Sequence, residues 1–445
     1  MNKVQLPMLS LLREELSLIT LPLLDVNAMQ TYRRGRLVSI GSTLLKAWLP
    51  WASLGEVCEI LPSGLRAEVV SLESGYAWLS PFDVALGLQC GQWVVSSGSE
   101  HKIGLSPHLL GTVVDGLGRV ISGNIGQTEE WRSLHADAPS PLSRAIIETP
   151  MPLGVKAIDG LLTCGVGQRI GIFAAAGGGK STLLSMICSG TQADVVVLAL
   201  VGERGREVRE FLEMVLTPEA RKRCVIVVST SEKPALERLK ACYTATTIAE
   251  YFRDKGLNVL LMVDSLTRYA RAAREVGLAA GEPPVTGGFP PSVFANLPRL
   301  LERAGPAARG SITAIYTVLV EGDNMNEPVA DEVRSILDGH IVLSRKLAEE
   351  NHYPAIDIPA SVSRVMQQVV SENHRQQAGK IRRMMGLFKE IELLVRIGEF
   401  KPGQDAEADE AVRRWPYIRK FLRQSTDGLV PWEMILTQLE NIAEG

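Results

Sequence analysis

The chain has 445 residues, 46% of them hydrophobic, and a formal net charge of −3. That is enough apolar material for two or three domains, excludes disorder over most of the length, and gives no overall charge bias toward nucleic acid or anionic membrane. Six cysteines lie scattered with no C-x-x-C pair, so neither a zinc site nor a disulfide framework is expected and a reducing cytosol fits.

In chain order, Leu9, Leu12, Leu16 and Ile19 fall at helical spacing and predict a short amphipathic helix over residues 8–20. Arg13, Glu14 and Glu15 interrupt its apolar character, which spoils a signal-peptide core or a spanning helix. Residues 1–27 are read as a segment for oligomerisation or membrane contact, the alternative being a terminal helix packed on its own domain. From residue 28 the texture becomes short apolar runs broken by Gly and Pro, such as "GEVCEILPSGLRAEVVSLESGYAWLSPF", predicting a small β-barrel or sandwich over 28–98. No basic, aromatic-studded surface of the kind that binds single-stranded nucleic acid is visible in that stretch.

A Pro-rich connector, "DAPSPLSR", precedes a run of buried strands alternating with helices: "RIGIFAA", "KSTLLSMICSG", "DVVVLALVG", "EVREFLEMVL", "CVIVVSTS", "ALERLKACYTATTIAEYFRDKG" and "NVLLMVDS". This alternation predicts an α/β domain over 99–370 with a parallel sheet covered on both faces. Residues 371–445 are patterned as helices.

The chemistry concentrates at strand ends. "GIFAAAGGGKSTLL" follows a strand and opens a helix, as a phosphate-binding loop must, although Ala174 stands where the usual G-x-x-x-x-G-K-[ST] pattern begins with glycine. Ala176, Gly177, Gly178 and Gly179 let backbone N–H groups approach phosphate, and Lys180 neutralises β- and γ-phosphate charge. Ser181 ligates Mg²⁺, and Thr182 continues the loop into the helix, whose positive end faces the anion. Glu203 in "LVGERGREV" sits where a carboxylate polarises an attacking water, and Asp264 in "LLMVDS" where one holds Mg²⁺ through water. Together Lys180, Glu203 and Asp264 specify nucleotide hydrolysis rather than binding alone.

The strings "GVKAIDGLLTCGVGQRIGIF", "LVGERGREVREF", "DSLTRYARAAREVGLAAGEPP", "GGFPPSVFANLPRLLERAG" and "HYPAIDIPASVSRVM" carry a resemblance over about residues 30–440. The chain resembles the ATPases of type III secretion systems, particularly the virulence type of enteric bacteria, relatives of flagellar export ATPases and rotary ATP synthase catalytic subunits. The resemblance implies an N-terminal β-barrel, a RecA-like phosphate-loop NTPase core and a C-terminal helical domain that binds chaperone and cargo. It also implies a homohexamer with ATP and Mg²⁺ at subunit interfaces, docked on central-stalk and stator proteins and an export gate at the cytosolic face of the inner membrane. Within the matching motifs, Arg364 corresponds to an arginine finger reaching the neighbouring subunit, Tyr353 to an aromatic stacked on adenine, and Arg268 to an arginine near the active site. Gly178 departs from the pattern, where relatives commonly carry a larger residue. The competing readings are a flagellar or rotary subunit, a non-catalytic sister subunit, which Glu203 argues against, and a RecA-like nucleic-acid translocase.

Overall fold

The computed structural model describes residues 33–444 other than Ala176 and Asp427; the segment 1–27, with the helix expected at 8–20, lies outside them. Six antiparallel strands come first: β1 (Arg33–Ile40), β2 (Leu45–Trp48), β3 (Glu56–Leu61), β4 (Leu65–Glu73), β5 (Tyr76–Pro81) and β6 (Trp93–Glu100). They close in the order β1-β2-β5-β4-β3-β6, with β6 returning to β1. Alternation along each strand sends Leu37, Leu45, Ala47, Cys58, Ile60, Ala67, Val69, Leu79 and Val94 inward. Closure leaves this small sheet without an open edge.

The outward positions differ from the sequence expectation. Cross-strand register sets Arg36 opposite both Trp48 and Trp93, and Trp48 opposite Tyr76. The Arg36 guanidinium lies 3.6 Å from the Trp93 ring centroid, and the Lys46 ammonium lies 4.7 and 4.9 Å from the Tyr76 and Trp78 rings. A cation–aromatic cluster therefore exists on the barrel, built across strands that are distant in sequence.

Two small ribbons follow, β7 (Lys102–Leu105) paired with β10 (Glu130–Ser133), and β8 (Val113–Asp115) with β9 (Val120–Ser122). The remaining strands are β11 (Arg169–Ala174), β12 (Val195–Glu203), β13 (Cys224–Thr230), β14 (Asn258–Asp264), β15 (Gly305–Pro306), β16 (Ser311–Leu319), β17 (Gly339–Leu343) and β18 (Val362–Ser363). Six of them and β8 form a parallel core in the order β17-β11-β16-β14-β12-β13-β8, and β18 and β9 cap its edges antiparallel.

The helices used below are α1 (Lys156–Leu161), α2 (Lys180–Gly190), α3 (Gly205–Glu210), α4 (Ala235–Asp254), α5 (Leu266–Ala279), α6 (Pro291–Leu301), α7 (Pro328–Ile336), α8 (Glu372–Arg396), α9 (Ala406–Leu422) and α10 (Trp432–Glu444). Each face of the sheet has its own core: Ile172, Leu198, Met262 and Ile315 pack with Leu183, Leu184 and Ile187 of α2, while Phe173, Val197, Val263 and Tyr316 pack with Ala241, Ile248 and Phe252 of α4. Strand residues alternate between these faces, which is why their sequences read as unbroken apolar runs. The helix expected from "EVREFLEMVL" is interrupted: α3 ends at Glu210 and Phe211–Val215 widens into a π turn, with the Leu216 N–H donating to the Phe211 carbonyl.

The last three helices pack against α1 and the α2 face. Ser371 and Asp405 cap α8 and α9 by accepting backbone N–H groups of the first turn. Beyond α9, the Gln424 side chain accepts from Lys156 N (2.9 Å) and donates to Gly154 O (2.8 Å), tying the tail to the entrance of α1. The barrel is pinned to the core by a buried Lys240–Glu68 ion pair at 2.8 Å.

Candidate active site

In a parallel sheet the ligand crevice opens at the carboxyl ends of the strands where the winding reverses. Here the chain leaves β11, crosses to β12 two strands beyond β16, and later returns to the other side of β11 with β17. The loop between β11 and α2 lies at that reversal. Gly177 (φ 82°) and Gly179 (φ 80°) occupy the left-handed region, which is why the loop needs glycine there. Ala174 is still strand, paired with Leu319 and Leu343, and this explains why a methyl group is accepted at the first position of the motif. Gly178 is not left-handed, and a Cβ on it would sit 3.3 Å from the Ala175 carbonyl oxygen, so its lack of a side chain is not dictated by backbone strain. Ala176 lies outside the described residues.

Lys180 opens α2 and its ammonium donates to the Asp264 carboxylate while standing 3.6 Å from Glu203 Oε1. Asp264 terminates β14 and Glu203 terminates β12, and both are buried. A register shift after Val201 turns Glu203 away from the regular alternation of its strand. Arg268, in the first turn of α5, pairs with Glu203 Oε2 at 2.7 Å and donates to the Gly202 carbonyl. Burial and the Asp264 charge push the Glu203 carboxyl above its usual range, against the opposing pull of Lys180 and Arg268. A raised carboxyl is a stronger base than an ordinary one when it ionises.

Ser181 follows Lys180 at the exposed start of α2 and Thr182 is half-buried behind it. Among the described residues no group of three or more His, Cys, Asp or Glu side chains could cage a metal. One hydroxyl and one nearby carboxylate instead suit Mg²⁺, which keeps waters and takes oxygens from bound phosphates. Tyr353 flanks the loop from the other side: a Cβ on Gly179 would meet its ring at 3.3 Å. The Gln424 N–H donates to the Tyr353 carbonyl at 3.0 Å and fixes that segment.

Among the described residues, Arg364 is the expected site residue that stands apart from this cluster. Its backbone N–H bonds to Asp338 O, and the preceding Ser363 pairs with Gly339 at the start of β17. The phosphate loop lies at the other end of β17, where Leu343 pairs with Ala174. Four residues of strand separate these levels, about 13 Å at roughly 3.3 Å per residue. The Arg364 side chain is exposed and forms no ion pair among the described residues.

Sequence reasoning missed Thr317. Fully buried on β16, between the strands that carry the loop and Asp264, it donates to Asp264 Oδ1 at 2.7 Å. In sequence it is one more β-branched residue in "SITAIYTVL".

Comparison with known proteins gives the family of this fold. Residues 154–363 match the model of the ATP synthase alpha/beta family, nucleotide-binding domain, and residues 370–441 match the T3SS EscN ATPase C-terminal domain. The chain is 54% identical over 410 residues to the SPI-2 type 3 secretion system ATPase of Salmonella typhimurium, covering 92% of this chain and 95% of that protein. It superposes on the assembled ATPase EscN of the enteropathogenic E. coli type III secretion system with a TM-score of 0.89 and 56% identity, covering 92% of this chain and all of the other. EscN in complex with its central stalk EscO gives a TM-score of 0.87 at 55% identity, with the same coverage. The chain belongs to the type 3 secretion system ATPases and hydrolyses ATP in type III protein secretion.

Proposed function

We propose that the chain works as a homohexameric ring in which each nucleotide site is completed by the neighbouring subunit. The observation that carries this reading is the separation of Arg364 from its own chain's phosphate loop by the length of β17. In this reading Ala176 to Thr182 cradle ATP, and Lys180 exchanges its carboxylate partners for the β- and γ-phosphates. Tyr353 stacks on adenine. Glu203 accepts the proton of the attacking water, with Arg268 holding its carboxylate in place. Ser181 directly, and Asp264 through water, would hold Mg²⁺, which when bound supplies charge neutralisation at the phosphates. Arg364 of one subunit would stabilise the transition-state charge at the next.

The same reading places residues 28–98 as the barrel domain, 99–370 as connector and ATPase domain, and 371–445 as the region that engages chaperone–effector complexes for release, unfolding and export. EscN's assembly with a central stalk supports a stalk partner here as well. Stator proteins, the export gate and a peripheral position on the inner membrane follow from family resemblance. No helix among the described residues is long and apolar enough to cross a membrane.

The test is specific ATPase activity measured against protein concentration, with the oligomer distribution followed by mass photometry. Activity per chain should rise steeply as rings assemble. Full activity in a population of monomers would remove the shared-site reading.

A further inference from the structure

We infer that Thr317 is a positioning residue for metal-dependent nucleotide binding, acting through Asp264; this rests on the proposed role of Asp264 toward Mg²⁺. β16 lies between β11 and β14, its Thr317 pairing with Ile172 and its Tyr316 with Val263. Parallel register therefore brings Thr317 level with Asp264, on the sheet face covered by α2. Thr317 is 0% exposed and its hydroxyl donates to Asp264 Oδ1 at 2.7 Å. Lys180 donates to the same oxygen.

Two donors on Oδ1 have a directional consequence. A carboxylate has about four lone-pair positions over its two oxygens, and saturating one oxygen from the sheet and the loop leaves Oδ2 as the acceptor for water or metal. The two donors differ in permanence. Lys180 is the residue that bound phosphate draws away, whereas Thr317 is anchored in a central strand and has no competing acceptor except its weak 3.4 Å approach to the Val263 carbonyl. When nucleotide engages Lys180, Thr317 remains to keep the carboxylate plane from rotating. A buried aliphatic residue of the same shape would fill the volume and leave Oδ1 without its fixed partner, so packing alone does not require the hydroxyl.

The experiment uses the full chain with Thr317→Val, which keeps shape and β-branching, and Thr317→Ser, which keeps the donor. Asp264→Asn is run in parallel. Mn²⁺ affinity of the ADP complex is read from the free-ion EPR signal, and affinity for a fluorescent ADP analogue is measured in EDTA. Outer-shell partners of metal sites typically contribute about 10- to 100-fold, so Thr317→Val should weaken Mn²⁺ binding by about 10-fold. Its affinity for the analogue in EDTA should stay within about twofold, and Thr317→Ser should restore Mn²⁺ binding. Should the valine variant fail to fold, Thr317→Ala carries the same expectation.

Unchanged Mn²⁺ affinity in Thr317→Val, with a large loss in Asp264→Asn, overturns this inference and leaves the role of Asp264 standing. Unchanged affinity in Asp264→Asn overturns both. Equal losses of Mn²⁺ and metal-free nucleotide binding in Thr317→Val would mean general loosening of the site, which also contradicts the inference.

Discussion

The two ends of β17 are furnished in opposite ways. At its carboxyl end Lys180, Glu203, Asp264 and Arg268 form a closed set of ion pairs in which every charge meets a partner from its own chain. At its amino end Arg364 is exposed, with a backbone held to Asp338 and a guanidinium that pairs with nothing among the described residues. In the proposed mechanism, a charge group that is complete within one chain would bind nucleotide and activate water. An arginine held on a sheet edge and left unpaired explains why a second chain would be needed.

The largest expected effect breaks this contrast from its open end. Arg364→Ala should lower ATPase turnover by about 10³ to 10⁵, or roughly 4–7 kcal/mol of barrier. As an exposed substitution it should move folding stability by only about 0.5 kcal/mol, so turnover and thermal melting of one preparation check both halves. Arg303 supplies the converse case. Its guanidinium is buried and bonded to Glu250, Thr247 and the Leu134 carbonyl, away from the site. Arg303→Leu strands the Glu250 carboxylate and should cost about 3–5 kcal/mol of stability in denaturant unfolding.

Within the loop, Gly179→Ala should cost about 1–2 kcal/mol through its left-handed backbone and weaken nucleotide binding by crowding Tyr353. Gly178→Ala, in an ordinary conformation, should leave affinity close to the parent; isothermal titration of both variants separates them. The smallest expected effect is a displaced pH profile. Burial raises the Glu203 carboxyl; in its proposed role as the base it must be ionised to act, and acidification should therefore abolish kcat/KM at a pH above the usual carboxylate range. A profile whose acid limb falls at an ordinary glutamate value would remove the environmental argument for Glu203.

How much of this was legible in the sequence follows from how local each signal is. The phosphate loop, Glu203 and Asp264 each terminate a long apolar strand, so their places at the sheet's carboxyl ends could be read directly. Arg364 looks like an ordinary surface arginine, because what gives it meaning lies on another strand end and, in the proposed ring, on another chain; only family resemblance marked it. Thr317 was hidden because a buried threonine satisfies strand propensity whether or not its hydroxyl is used. The Arg36–Trp93 and Lys46–Trp78 stacks were hidden for a related reason, since register across a closed barrel brings together residues that no linear window contains. The π turn at Phe211–Val215 interrupts a helix in a stretch that contains neither Gly nor Pro, so no breaker residue announces it.

The most direct measurement is ATP hydrolysis by mixed rings of Glu203→Gln and Arg364→Ala, with subunit exchange verified by fluorescence transfer. Each variant alone should be nearly inactive, and the exchanged mixture should recover activity at interfaces that join an intact Glu203 to a neighbour's intact Arg364. A mixture that exchanges fully and stays inactive would contradict a site shared between chains.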